Sequence, residues 1–135
     1  MATLFEKLNL GSLQEIAVLN PPASMEETLS GLAVLHLHRQ LESVAKIGFV
    51  LAFVTRLSEV EELAPRIAAC APGDAIVWFA YPKGTSKKYK CEFNRDTGWA
   101  ALDALGFETV RAVAIDDDWT ALRFRRNEFV KARKK

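Results

Sequence analysis

The sequence predicts an α/β protein of three layers, with a mostly parallel sheet of about six strands between helices and a carboxyl-terminal antiparallel β-hairpin. Three observations carry this. Strand-like apolar runs alternate with segments of helical spacing, the pattern of parallel strands joined by right-handed crossovers. Two of the runs, Ile47 to Thr55 (IGFVLAFVT) and Ala75 to Tyr81 (AIVWFAY), are almost continuously apolar, as strands covered on both faces are. The last two runs flank Asp116-Asp117-Asp118, a tight turn that folds one strand back on the other.

Taken in order, Glu15 to Leu19 (EIAVL) is a short strand halted by Asn20-Pro21-Pro22. Ser24 and Glu27 have the S-x-x-E spacing of a capping box and open a short helix. Ala33 to His38 (AVLHLH) alternates enough to be a strand, although Leu37, Leu41 and Val44 also have helical spacing. After the strand at 47–55, Ser58 and Glu61 make a second capping box, and Val60, Leu63, Ile67 and Cys70 mark the inward stripe of a helix. Pro65 lies inside that helix and is expected to kink or divide it. Ala71-Pro72-Gly73-Asp74 then turns the chain into the strand at 75–81. Further on, Asn94 or Asp96 caps a helix that turns Trp99, Leu102 and Leu105 inward and stops at Gly106. Phe107 to Ile115 and Trp119 to Arg126 form the hairpin.

Half of the 135 residues are hydrophobic and 26% are charged, which suits one folded domain over residues 1–127 rather than a disordered chain. The tail 128–135 (EFVKARKK) has too little apolar pattern to dock and is expected to fray. The longest apolar run, Ile47 to Val54, is far short of the roughly 20 residues that cross a bilayer. The amino terminus, MATLFEKLNLGSL, lacks the basic region and apolar core of a signal peptide, so a cytoplasmic location with no membrane role is expected. In that compartment Cys70 and Cys91, which form no CxxC, are expected to be free thiols.

The net charge of +1 hides a strong asymmetry. Residues 81–95 (YPKGTSKKYKCEFNR) hold five basic residues and one acidic, and residues 123–135 hold seven and one. The rest of the chain is therefore acidic. Strands that run parallel end on one edge, and ligands of open α/β sheets bind there. The candidate ligand-binding residues are accordingly Asn20 after the first strand, Thr55 after the buried one, Lys83, Lys87, Lys88 and Arg95 of the basic loop, and Asp116 and Trp119 at the hairpin turn. The basic side chains would form an anion-binding rim, with Trp119 and Tyr89 placed to stack on a ring. The alternative is a solvated loop balanced by the three aspartates. It is favoured, because a rim of one sign suits anions better than a mixed one. For Trp119, packing against the sheet end is likewise favoured over stacking with Arg123.

Other motifs carry less. His36 and His38 share a strand face, but no third ligand identifies itself, so no metal is assigned. Cys91 sits among Lys88, Lys90 and Arg95 without an evident base partner. Gly84-Thr85-Ser86-Lys87 is not a phosphate-binding P-loop, and no catalytic residue is assigned. The tail RFRRNEFVKARKK is read as a solubilising terminus ahead of a phosphate-contacting one, and nucleic acid is disfavoured as a partner.

A helix, then APGDAIVWFAYPK, a helix ending at Gly106 and a last strand pair about an acidic turn resemble the carboxyl-terminal half of class I S-adenosylmethionine-dependent methyltransferases, which are Rossmann-like. Ala71-Pro72-Gly73 stands where that superfamily has a Lys-Pro-Gly turn. More narrowly, WFAYPKGTSK, FNRDTGW and VAIDDDWTALRFRR are similar to a family of small bacterial proteins of unknown function, over residues 73–126. The resemblance implies the fold. It departs after the first strand, where methyltransferases place a glycine-rich turn whose backbone N–H groups meet the cofactor at a helix start. Here the turn is Asn20-Pro21-Pro22-Ala23-Ser24, with two prolines and no glycine. Prolines remove N–H donors and fix φ. The expectation is thus a non-catalytic or degenerate methyltransferase-like module that binds no cofactor; its partner is unassigned, with a small anionic ligand or a protein as the candidates. The alternatives are a small-molecule enzyme or nucleotide binder using the carboxyl edge, and a weak non-specific nucleic-acid binder.

Overall fold

The computed structural model describes residues 15–30, 36–40, 46–71, 73, 75–83, 99–116 and 118–127. Its elements are β1 (Glu15–Leu19), a 3-10 turn (Ala23–Met25), α1 (Glu26–Ser30), β2 (His36–His38), β3 (Phe49–Phe53), α2 (Leu57–Cys70), β4 (Ile76–Pro82), α3 (Ala100–Ala104), β5 (Phe107–Ala114) and β6 (Trp119–Arg126). They form one six-stranded sheet in the order β2-β1-β3-β4-β6-β5. β2, β1, β3 and β4 are parallel neighbours, while β6 runs antiparallel to both β4 and β5. The sheet is therefore mostly parallel and closed on one side by an antiparallel hairpin, with the second hairpin strand placed inside.

The alternation of side chains along each strand divides the core between two faces. On one face Leu19, Val50, Ala52 and Phe79 meet Val60, Ala64 and Ile67 of α2 and Leu102 of α3. Trp99 lies among Phe79, Tyr81 and Phe124 there, with ring centroids 5.2 to 6.0 Å apart. On the other face Ile16, Val18, Phe49, Leu51, Phe53 and Trp78 lie under Met25 and Leu29 of the α1 segment. All five residues of β3 are buried, which is why its sequence shows no polar alternation.

Several expectations change in detail. The first short helix begins as the 3-10 turn with Pro22 in the N-cap position and no side-chain cap, so Ser24 lies inside the turn instead of capping it. α2 starts at Leu57, two residues before the expected box would allow, and its N3 residue is Glu59 in place of Glu61. Pro65 does not divide α2, which is one helix from Leu57 to Cys70. Both Pro65 and Glu61, whose carbonyl loses its helical donor, are exposed, so water can satisfy that oxygen. Leu105 is 40% exposed. α3 ends at Ala104, and Leu105, with φ −91° and ψ 3°, has already left the helical trace that would carry it inward. Gly106, at φ +88°, ends the segment in the left-handed region as expected. The strand expected over 33–38 is observed at His36–His38, and 33–35, Asn94, Asp96 and the tail 128–135 lie outside the described residues.

Candidate functional site

The chain passes from β1 outward to β2 and then returns across β1 to β3. The order therefore reverses between β1 and β3, and the carboxyl ends of these two strands frame the crevice where open α/β sheets bind ligands. Asn20 stands at one side of it. Its φ of +54° is the one left-handed conformation of a non-glycine residue among the described residues. The residue before a proline is ordinarily held in the extended region, so this backbone is under strain.

Thr55 and Arg56 stand at the other side and lead into α2. Both amides donate to Glu59 Oε1, at 2.8 and 3.0 Å, and Thr55 Oγ1 donates to the same oxygen at 3.2 Å. This is the acidic half of a capping box. It fills the start of α2 with the protein's own carboxylate, which would repel an incoming anion. Thr55 thus stands one residue before the N-cap, Arg56, and is tied to Glu59.

Across β1, Arg39 follows β2 and grips Glu26 at the start of α1 with both arms of its guanidinium, at 2.8 and 2.9 Å. The hydrogen bonds from Arg39 hold the Glu26 carboxyl below its ordinary range and push the guanidinium up in turn. Between this fork and α2, at the end of β1, lies a cavity of about 260 Å³. Leu19 and Leu63 supply its apolar wall, and Asn20, Gln40, Glu62 and Arg66 are among its polar ones.

Farther along the same edge, Lys83 donates its amide to Asp118 O at 2.8 Å, joining the end of β4 to the hairpin turn. Asp116 Oδ1 accepts from the amides of Asp118 and Trp119, at 2.8 and 2.9 Å, and so closes that turn. Trp119 is buried and sits edge-on to Phe53, 5.1 Å between centroids. Its ring is part of the core, the packing outcome instead of an open stacking face. Asn20, Thr55, Lys83, Asp116 and Trp119 therefore share one edge. Lys87, Lys88, Arg95, Tyr89 and Cys91 lie outside the described residues.

The histidine pair is at the outer strand. The rings of His36 and His38 stack at 6.4 Å, and His38 Nε2 lies 2.6 Å from Glu15 Oε2 on β1. Among the described residues no three His, Cys, Asp or Glu side chains converge as a metal site. Cys70 is buried, which pushes its thiol up and keeps it protonated.

Sequence reasoning missed Arg126. It ends the last strand, within the basic segment 123–135, and its Nη1 donates to Ala71 O and Gly73 O at 2.8 and 2.7 Å, and its Nη2 to Ala68 O at 3.1 Å. The guanidinium also lies 4.8 Å from the centre of the Phe107 ring. One residue of the basic segment is thus turned inward to hold the end of α2.

No protein-family model matches the sequence, and no curated protein matches it. Solved structures do match. A SAM dependent methyltransferase from Aquifex aeolicus superposes with a TM-score of 0.62 at 10% identity, covering 90% of this chain and 86% of that one. The chain has the fold of class I methyltransferases. The N-methyltransferase NodS from Bradyrhizobium japonicum WM9 gives 0.58 at 10% identity, with 90% and 91% covered. The fibrillarin pre-rRNA processing protein of Methanococcus jannaschii gives 0.56 at 13%, with 87% and 68% covered. At these identities the likeness is one of fold.

In open sheets of this kind a nucleotide cofactor lies against the turn after the first strand and the end of the second. Pro21 and Pro22 lack amide donors, and α1, five residues long among the described residues, has Glu26 and Glu27 in its first turn. A dinucleotide site places a carboxylate near the end of the second strand for the ribose hydroxyls. At that level this chain has His38 and the Arg39–Glu26 fork. Among the described residues β2 is also the outermost strand, where doubly wound sheets carry a further one. These residues do not fit S-adenosylmethionine in its usual place.

Proposed function

We propose that this chain is a methyltransferase-like domain that does not bind S-adenosylmethionine and acts as a non-catalytic binding module, meeting its ligand or partner at the carboxyl edge of the sheet. The single observation behind this reading is the turn after β1. Asn20-Pro21-Pro22 is stiff and poor in donors, and leads into a 3-10 turn instead of a helix start rich in open N–H groups. The arginine fork between β2 and α1 supports it from the ribose side.

Calorimetric titration and thermal unfolding with S-adenosylmethionine and S-adenosylhomocysteine test the reading. A ligand at 100 times its dissociation constant adds about 2.7 kcal/mol of stability. The expected result is no heat of binding and no change in melting temperature; a saturable heat with a matching rise in melting temperature overturns it.

A further inference from the structure

The cavity at the end of β1 has a lining that selects a ligand class. Its charged side chains are two arginines and two glutamates, Arg39 and Arg66 against Glu59 and Glu62, and so balance. Arg39 holds Glu26 and Glu59 caps α2. Glu62 and Arg66 are one helical turn apart, with Arg66 Nη2 3.5 Å from Glu62 Oε1 and about half to two-thirds of each side chain exposed. A pair of this kind contributes little to stability. Beside it stand the carboxamides of Asn20 and Gln40, each able to donate and accept, and the apolar wall of Leu19 and Leu63.

A polyanion in this space would face two carboxylates, and a simple cation would face two guanidiniums. A purely apolar ligand would strip water from charges and amides without replacing it. The lining is complementary to a ligand with one positive and one negative group a few ångströms apart beside a short apolar chain. From this we infer that the cavity binds a free α-amino acid with an aliphatic side chain. The ammonium faces Glu62, the carboxylate faces Arg66, the side chain lies on Leu19 and Leu63, and the strained Asn20 presents its amide to the ligand. A left-handed residue held before a proline is the kind of outlier that collects at ligand sites. The inference rests on the binding-module reading and names the ligand class of its site.

The test titrates the full chain with L-leucine, with 4-methylpentanoate, which lacks the amine, and with L-leucinamide, which lacks the carboxylate. Saturable binding of L-leucine is expected, weakened about tenfold in each one-charge analogue and about tenfold in Glu62→Gln and Arg66→Gln, the loss of one charge contact. Both positions are on the exposed side of α2, and an unchanged melting temperature without ligand shows that the variants fold. Absence of binding at millimolar L-leucine overturns the inference, as does binding that neither variant weakens. Binding of S-adenosylmethionine overturns the module reading instead, so the two can fail separately.

Discussion

Arg126 shows what one side chain can do at a distance in sequence. Its planar fork reaches three carbonyls around the end of α2, and its face covers Phe107. The positive charge also sits at the negative end of a helix dipole. Arg126→Ala is expected to lower unfolding free energy by about 1.5–3 kcal/mol, the range for hydrogen bonds to a charged group. Arg126→Lys should recover only part of this, because an ammonium cannot bridge the same acceptors. Urea unfolding measures both, as a lower midpoint at unchanged slope. Nothing near Arg126 in the sequence announced the role, since its acceptors lie 53 to 58 residues earlier. Asn20-Pro21-Pro22, by contrast, was legible, because proline restricts the chain by its own covalent structure. Trp119 stands between these cases: its burial was the better expectation, while Phe53 as its neighbour depends on the sheet order.

At the scale of elements, the sequence located each strand and misjudged how helices begin. Two segments compete to start α2, Arg56 to Glu59 and Ser58 to Glu61. The expected start was the second. The structure uses the first because Glu59 alone reaches the Thr55 and Arg56 amides. Glu59→Ala should therefore cost about 0.5–2 kcal/mol, the usual effect of losing a cap, and Glu61→Ala, on the exposed face, close to nothing. Denaturant midpoints of the two variants distinguish the starts.

The tie between α1 and β2 carries a pH signature. The Glu26 carboxyl is lowered from 4.5 in the folded chain by hydrogen bonding to Arg39. Its contribution to stability is thus complete above the ordinary value and is lost as pH falls through the lowered one. Arg39→Gln should be less stable than the parent at neutral pH, with the gap closing below about pH 4.5 as Glu26 protonates in both. Unfolding curves taken between neutral pH and pH 3 follow that gap. No residue spacing predicts this pair, because Glu26 and Arg39 meet only once β1 and β2 are side by side.

For the molecule as a whole, alternating strands and helices were enough to infer a mostly parallel sheet with a terminal hairpin. Which hairpin strand lies inside was not legible from the turn, since a reversal at Asp116–Asp118 allows either. Burial decides it. β6 buries Trp119, Ala121, Leu122 and Phe124, whereas β5 buries only Phe107 and bulges between Thr109 and Arg111. Hydrogen exchange should follow the same gradient, with amides of β3 and β4 slowest and those of the outer strands β2 and β5 markedly faster. Equal protection of β5 and β4 would contradict the observed order.

That inner position of β6 sets a timetable for synthesis. On the ribosome β1, β3 and β4 emerge early and can associate, but β4 keeps an open flank and β5 has nowhere to attach. Only when residues 119–126 clear the exit tunnel does the missing slat slide into place and join both neighbours at once. A nascent chain stalled just short of them would present a long, greasy border to other chains, making premature termination here an invitation to aggregation.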